Sequence, residues 1–150
     1  MTAEDEFAGC LAGNLRAASR TITRFYDDAL RKSGLRITQL AVLAQVRRSE
    51  PVTASELASA MSAERSATAR DLRLLEGGRL VWATPRTTDR RAREYRLTDL
   101  GRSRLLEATP IWRLAQAQAR DCIGAEAVDA LVALTISVVE HLPTRPGAAS

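Results

Sequence analysis

Residues 62–97 read SAERSATARDLRLLEGGRLVWATPRTTDRRAREYRL, and in this stretch a helix pattern is followed by a hairpin pattern. Over residues 64–76, apolar and small residues recur at helical spacing, and Gly77-Gly78 ends the segment. Over residues 80–97, apolar and polar side chains alternate on both sides of an arginine-rich loop, as they do in a β-hairpin. The stretch therefore predicts a short helix, a glycine turn and a two-stranded hairpin.

The excess positive charge of the chain lies in the same stretch. Between Met61 and Arg96 there are nine arginines and five acidic residues, and the difference of +4 equals the formal net charge of the whole chain. A local basic surface on a helix and a hairpin favours contact with phosphate groups. Charge alone leaves a second interpretation open, in which the arginines belong to a solvated hairpin and pair with acidic side chains.

Another helix pattern precedes this stretch. Thr53-Ala54-Ser55-Glu56 is a capping-box pattern, in which the threonine hydroxyl and the glutamate carboxylate bind each other's backbone N–H groups. It opens a short helix, and the turn Met61-Ser62-Ala63 joins that helix to the one at 64–76, which predicts a helix-turn-helix. The second helix should have two faces: Thr68, Leu72 and Leu75 inward, and Arg65, Ser66, Ala69, Arg70 and Arg73 outward.

The N-terminal part of the chain has the pattern of two helices. Apolar residues at intervals of three and four predict an amphipathic helix over residues 4–32 that ends at Ser33-Gly34. Thr38 is the expected cap of the next helix, which Glu50-Pro51 stops. A first helix of about 28 residues would be ~42 Å long, too long for a compact monomer of this size. We therefore expect part of it to pack on a second chain.

The C-terminal part is also helical by pattern. Thr98-Asp99 is predicted to cap a long helical region in which Pro110 produces a kink or a break. Gly124 separates a last, strongly apolar helix, and residues 143–150 are expected to form a frayed tail.

Composition and motifs bound the class of protein. No apolar run approaches the ~18 residues of a membrane span, and the acidic start of the chain is unlike a signal peptide. Cys10 and Cys122 are too far apart in sequence for a disulfide framework or a zinc pattern, so we expect a reducing, cytoplasmic location. With one histidine, no phosphate loop and no paired metal ligands, neither an enzyme nor a cofactor is indicated.

Three motifs resemble the multiple antibiotic resistance regulator (MarR) family. Residues 89–101, DRRAREYRLTDLG, are similar to the family's wing, an Asp-x-Arg pair followed by a strand and Leu-Thr-x-x-Gly. Residues 75–81 resemble the end of its recognition helix, and residues 34–39 the entry to its second helix. The resemblance implies a mainly α fold with a small β-hairpin wing. It also implies two lobes: a helical dimerisation lobe from residues 4–33 and 99–142, and a winged helix-turn-helix lobe from residues 35–98.

The resemblance also implies a function and a set of site residues. The family members are homodimeric transcription factors, most often repressors, and we expect a pseudo-palindromic operator with half-sites about one turn apart. Arg91 is expected to enter the minor groove, steered by an ion pair with Asp89. The other implied DNA contacts are Arg65 and Ser66 to base edges, Arg70 and Arg73 to bases or phosphates, and Arg86, Arg90 and Arg93 to phosphates.

Three further hypotheses remain open. A branch of the family senses organic hydroperoxides through a cysteine near the start of helix 1, and Cys10 is the candidate here, although it also fits a small buried thiol. Family effectors bind between the two lobes, so a phenolic or other aromatic ligand is expected to release DNA. The alternative from another class is a dimeric protein-interaction module without DNA binding, against which the dense arginines argue.

Overall fold

The computed structural model describes residues 9–142, which are mainly helical with one small sheet. The elements in chain order are α1 (Leu11–Leu30), a 3-10 turn (Arg31–Ser33), α2 (Ile37–Ser49), β1 (Val52–Thr53), α3 (Ala54–Ala60), α4 (Arg65–Gly77), β2 (Val81–Pro85), β3 (Arg93–Leu97), α5 (Asp99–Ile123) and α6 (Ala125–His141). This confirms the predicted mainly α fold with a β-hairpin. The predicted continuous helix over residues 4–32 is wrong: Cys10 is extended, so α1 begins at Leu11 and has 20 residues, and the argument from a 28-residue helix does not hold. Residues 4–8 of that prediction and the predicted tail at 143–150 lie outside the described residues.

The chain forms two compact units, one that ends at Trp112 and one that begins at Arg113. The first unit holds α1 to β3 and the beginning of α5, and it has its own buried core. The predicted assignment of the terminal helices to a dimerisation lobe concerns an assembly of two chains, and it stays a prediction.

The sheet has three antiparallel strands in the order β1-β3-β2. The predicted hairpin is confirmed, with a register that pairs Val81 with Leu97 and Pro85 with Arg93. The sequence analysis missed β1, whose Val52 pairs with Tyr95. Two residues are too few to show an alternating pattern, yet this strand fixes the hairpin to the start of α3.

The core of the first unit comes from every helix in it and from the sheet. Leu72 and Leu75 on α4 are 0% and 1% exposed, and Thr68 on the same face is 3% exposed, which confirms the predicted inward face. Burying a leucine side chain contributes about 1.5–3 kcal/mol. The other fully buried side chains are Leu30, Val42, Leu43, Val46, Leu57 and Val81.

Several helix ends differ from the predictions. The cap predicted at Thr38 is wrong: the N-cap of α2 is Arg36, two residues earlier, and Asp27 Oδ1 on α1 accepts from the N–H of Ile37, the first residue of α2, at 2.7 Å. The left-handed residue after α4 is Arg79, with φ 57°, and neither member of Gly77-Gly78 takes that conformation. The predicted left-handed Gly34 is confirmed, with φ 72°.

The break predicted at Pro110 does not occur, since α5 runs unbroken from Asp99 to Ile123. A proline inside a helix costs about 3 kcal/mol. On both sides of it, however, α5 is held by packing: Leu105 and Ala108 are buried in the core, and Trp112 packs against it. Burial on this scale offsets the one backbone hydrogen bond that proline removes.

The second unit buries little of its apolar surface in one chain. Gly124 ends α5 with φ 97°, as predicted, and Arg120 donates to both oxygens of Asp129 at 2.7 and 3.1 Å across that turn. Among residues 113–142 only Ala115 and Val128 are buried. The large apolar side chains that remain exposed there are Leu114, Ile123, Val132, Leu134, Ile136, Val139 and Leu142.

Candidate nucleic-acid interface

Helix α4 presents a basic face opposite its buried face. Arg65, Ser66, Arg70 and Arg73 are all exposed, as predicted from their spacing. Within residues 9–142, neither Arg65 nor Arg70 takes part in an ion pair, and Arg73 makes only a long 3.4 Å contact from Nε to its own helix at the Ala69 carbonyl. These guanidinium groups are therefore available to an external anion.

The angle between α3 and α4 is set by a short, tightly bonded turn. The Ala63 N–H donates to the Ala58 carbonyl at 2.9 Å, and the Ser62 N–H donates to the Ser59 carbonyl at 3.2 Å. Ser62 adopts φ 49°, a left-handed conformation that is uncommon for a residue other than glycine. The turn brings α3 and α4 together as a helix-turn-helix, with the N-terminus of α4 exposed.

The hairpin loop is ordered by bonds to its own backbone. The Arg86 N–H donates to the Ala92 carbonyl at 2.8 Å, and the Ala92 N–H donates to the Asp89 carbonyl at 3.0 Å. Asp89 Oδ1 accepts from the backbone N–H of Arg91 at 3.0 Å, a local turn typical of aspartate. The ion pair predicted between Asp89 and Arg91 is not formed within residues 9–142, because the Asp89 carboxylate accepts from the Arg91 backbone N–H instead. The role of Arg91 in the minor groove stays a prediction.

Arg86, at the end of β2, is held by two carboxylates. Its Nη1 lies 2.9 Å from Glu56 Oε1, and its Nε lies 3.2 Å from Glu94 Oε1. Glu56 also closes the predicted capping box, since its Oε2 accepts from the Thr53 N–H at 2.8 Å. The Thr53 N–H and the Arg86 guanidinium hold the pKa of the Glu56 carboxyl below its ordinary value. Glu56 is therefore charged at neutral pH, and its pair with Arg86 is lost only as the pH falls through that lowered pKa.

Arg93, at the start of β3, is held in a two-bond fork. Its Nη2 and Nη1 donate to the two oxygens of Glu76 on α4 at 2.6 and 3.2 Å. Its guanidinium carbon also lies 5.6 Å from the centre of the Tyr95 ring, within the range of a cation–π contact. Each arm of the hairpin therefore carries one arginine that is bound to a helix of the helix-turn-helix.

A further carboxylate fixes the base of the hairpin. Glu50, at the end of α2, accepts from the Leu97 N–H at 2.8 Å and pairs with Arg102 on α5 at 2.5 Å. Thr98 donates from Oγ1 to the Arg79 carbonyl at 2.7 Å and accepts from the Gly101 N–H at 2.9 Å. The predicted cap of α5 at Thr98 is thereby confirmed, and it also binds the loop that follows α4.

The predicted site residues fall into two groups in the structure. The first group is exposed and takes part in no ion pair within residues 9–142. It consists of the tip residues Arg90 and Arg91 and the α4 residues Arg65, Arg70 and Arg73. Arg86 and Arg93 form the second group, both in ion pairs. Sequence reasoning missed their partners Glu56, Glu76 and Glu94. The position of Glu76 and Glu94 inside the basic segment was a signal for such pairs, whereas Glu56 lies outside that segment and gave none.

Other candidate sites are sparse. Cys10 is at the N-cap of α1 and is half-buried, and Cys122 on α5 is exposed. No three potential metal ligands lie together within residues 9–142. An open hollow beside α1 and α2 is lined by charged side chains that include Asp27, Arg31 and Arg36. None of the helices in residues 9–142 is long and apolar enough by itself to span a membrane; α5 and α6 reach that requirement only when joined across their bend.

A helix-turn-helix followed by a hairpin, with a basic exposed face on the second helix, defines a winged helix-turn-helix protein. Residues 35–92 match the family model for MarR. The transcriptional regulator MosR of M. tuberculosis is 32% identical over 91% of this chain and 99% of its own, with a TM-score of 0.77. The chain therefore belongs to the MarR family of winged-helix transcriptional regulators.

Two further solved structures show how far the likeness extends. MosR in complex with DNA is 32% identical over 89% of this chain and 99% of that chain, with a TM-score of 0.74. MarR of E. coli in its apo form is 22% identical over 89% of this chain and 97% of that chain, with a TM-score of 0.67, which supports the fold alone. A comparison with the curated proteins found no match.

Proposed function

We propose that this protein is a sequence-specific regulator of transcription, most simply a repressor, that binds double-stranded DNA as a homodimer. The observation that carries the proposal is the set of arginines without acidic partners within residues 9–142, which lie on α4 and at the hairpin tip: Arg65, Arg70, Arg73, Arg90 and Arg91. Arginine is suited to bidentate contacts with guanine and to narrow, negatively charged minor grooves.

The two parts of the basic surface suit different grooves. Helix α4 has the exposed N-terminus by which a recognition helix contacts base edges in the major groove, and we assign that contact to Arg65 and Ser66. We assign base or phosphate contacts to Arg70 and Arg73. Arg91 at the hairpin tip is assigned to the minor groove, and Arg90 beside it to phosphate. We also propose a cytoplasmic location, where a regulator of transcription has access to its DNA.

Selection from a random duplex library tests the proposal without knowledge of the operator. A homodimer should enrich an inverted repeat whose half-sites lie about 10 bp apart. Footprinting of the enriched sequence should then protect one face of the duplex. Recovery of unrelated sequences, or no retained DNA, would instead favour the protein-interaction module that shares this fold but not the function.

The homodimer is proposed from the apolar side chains that the second unit leaves exposed. A second copy of α5 and α6 would cover Val132, Ile136 and Val139, and a pseudo-palindromic site requires such a two-fold pair.

Ile136→Asp should weaken dimerisation at least about 100-fold, because it buries an unpaired charge. Light scattering should then detect monomers, while Gln118→Glu, the same charge change at an exposed polar position, stays dimeric. A dimeric Ile136→Asp protein would contradict this interface.

Two regulatory mechanisms remain proposals. Release of DNA by a small aromatic ligand is proposed from the family resemblance alone. The hollow beside α1 and α2 does not support it, because the lining of that hollow is charged. Peroxide sensing at Cys10 is supported only by the partial exposure of that residue at the start of α1.

The thiol proposal has a direct test. If Cys10 is the sensor, organic hydroperoxide releases the DNA from the wild-type protein, and Cys10→Ser abolishes that release. Cys122→Ser is the matched control and should respond like the wild type. A normal peroxide response in Cys10→Ser, or no response in the wild type, would remove Cys10 from the account.

A further inference from the structure

We propose that Arg86 and Arg93 are positioning residues, which fix the hairpin to the helix-turn-helix through Glu56 and Glu76 and do not bind phosphate. The proposal rests on the DNA-binding function proposed above, and it assigns different roles to two sets of wing arginines. The tip arginines Arg90 and Arg91 contact DNA, while Arg86 and Arg93 set where that tip lies relative to α4.

The first step concerns the bonds that Arg86 already makes. Two of its nitrogens are engaged, with Glu56 on α3 at 2.9 Å and Glu94 on β3 at 3.2 Å. Glu94 is only 15% exposed, and Arg86 is 36% exposed. Moving the guanidinium to a phosphate would leave a nearly buried carboxylate without its cation, which is costly.

The second step concerns the position of Glu76. It lies in the last turn of α4, where the negative end of the helix dipole disfavours a carboxylate. The two-bond fork from Arg93 compensates for this placement, and fork geometry is the strongest form of an arginine–carboxylate pair. If Arg93 bound a phosphate instead, Glu76 would therefore lose the cation that offsets the unfavourable helix dipole at its position.

The third step concerns mechanics. β1 and Glu50 anchor the base of the hairpin, but only β2 and β3 continue toward the tip, and a two-stranded ribbon is weakly ordered by itself. The tip must enter the groove next to the one that α4 occupies. Arg86 connects the end of one arm to α3, and Arg93 connects the start of the other arm to α4. With both pairs in place, the tip has one position relative to the recognition helix, which lowers the ordering cost on binding.

Neutralising the acidic partners distinguishes the two roles by the sign of the effect. Glu76→Gln and Glu56→Gln each remove a negative charge near DNA. If Arg86 and Arg93 bind phosphate, either variant should tighten binding, since a competitor for the arginine is lost. If they position the wing, each variant should weaken binding, by about five- to tenfold. In Glu56→Gln the amide oxygen can still accept from Thr53, so the cap of α3 is kept.

Glu64→Gln is the matched control. Glu64 lies at the N-cap of α4, is exposed and is in no ion pair within residues 9–142. The variant makes the same charge change beside the same helix, so its binding should tighten or stay unchanged. Thermal unfolding of all three variants should be close to the wild type, because exposed ion pairs contribute little to stability.

Salt dependence and a charge swap complete the test, with the library-selected duplex as the probe. Arg93→Ala should weaken binding about as much as Glu76→Gln, with a salt slope equal to that of the wild type. By contrast, Arg90→Ala should lower the slope by about 2, because a homodimer then loses one phosphate contact in each protomer. The double variant Arg93→Glu with Glu76→Arg exchanges the two members of the pair. On a logarithmic scale it should restore at least half of the affinity that Arg93→Ala loses. If Arg93 bound phosphate, a glutamate in its place would restore none of that affinity.

The outcomes separate this proposal from the proposed function. Tighter binding by Glu56→Gln and Glu76→Gln, or a salt slope that falls in Arg86→Ala and Arg93→Ala, overturns the positioning role while DNA binding stands. A wild-type protein that binds no duplex overturns both. Weaker binding in the glutamine variants with an unchanged slope and rescue by the swap is the expected result.

Discussion

Replacing Arg91 with alanine is expected to weaken operator binding by on the order of 100-fold, because both wings of a dimer lose a contact that contributes about 1–3 kcal/mol each. Arg91 is exposed at the hairpin tip and is in no ion pair within residues 9–142. Its loss should therefore leave the fold and the dimer unchanged. Fluorescence anisotropy with a labelled duplex measures the affinity, and circular dichroism checks the fold.

Two comparisons make the Arg91 prediction specific. Arg20→Ala removes the same charge from an exposed position on α1, outside the basic segment, and should change affinity by no more than about twofold, given screening beyond ~8 Å. Asp89→Asn keeps an oxygen acceptor for the Arg91 N–H and should bind nearly as well as the wild type, whereas Asp89→Ala should bind less well. Equal affinity of Arg91→Ala and the wild type would exclude the minor-groove role.

Replacing Gly101 with alanine is expected to destabilise the first unit by about 3 kcal/mol, at the upper end of the usual cost of overpacking. A Cβ at Gly101 would lie 1.9 Å from the Leu80 carbonyl oxygen and 2.9 Å from its carbon. That carbonyl cannot move freely, since the Thr98 N–H donates to it at 3.1 Å. The Tm should fall by about 10 °C, as measured by calorimetry.

Gly77→Ala is the matched control for this prediction. A Cβ at Gly77, the last residue of α4, would meet no atom within 4 Å, so alanine should be neutral or should stabilise by about 0.5–1 kcal/mol. If Gly101→Ala unfolds within about 2 °C of the wild type, the close approach of α5 to Leu80 is not a constraint on this fold.

Local pattern was sufficient for the parts of the fold that depend on neighbours in sequence. The inward face of α4 followed from Thr68, Leu72 and Leu75, and the capping box at Thr53 followed from four consecutive residues. The hairpin itself followed from alternation on both sides of its loop. Each of these features has a period or a short motif that a single segment contains.

Features set by distant residues could not be predicted in this way. The start of α2 depends on Asp27, ten positions before Ile37, and the two residues of β1 become a strand only because β3 is beside them. Pro110 was expected to kink or break its helix by a local rule, and packing of the flanking turns outweighs the break. Local rules therefore fail where tertiary contacts decide.

The candidate site shows the same division. Exposure of Arg65, Arg70 and Arg73 followed from helical spacing, but the pairing of Arg86 with Glu56 spans 30 residues and that of Arg93 with Glu76 spans 17. Charge density alone treated all wing arginines as equivalent. The structure separates those in ion pairs, Arg86 and Arg93, from those without one within residues 9–142.

Titration of the wild-type protein on its library-selected duplex at several salt concentrations tests the DNA-binding account most directly. With at least three unpaired arginines per protomer contacting phosphate, affinity should fall by roughly 10³-fold or more between 50 and 200 mM salt. At each concentration the selected duplex should bind at least about 10³-fold more tightly than a scrambled one. Affinity that is independent of salt, or equal for the two duplexes, would contradict the account.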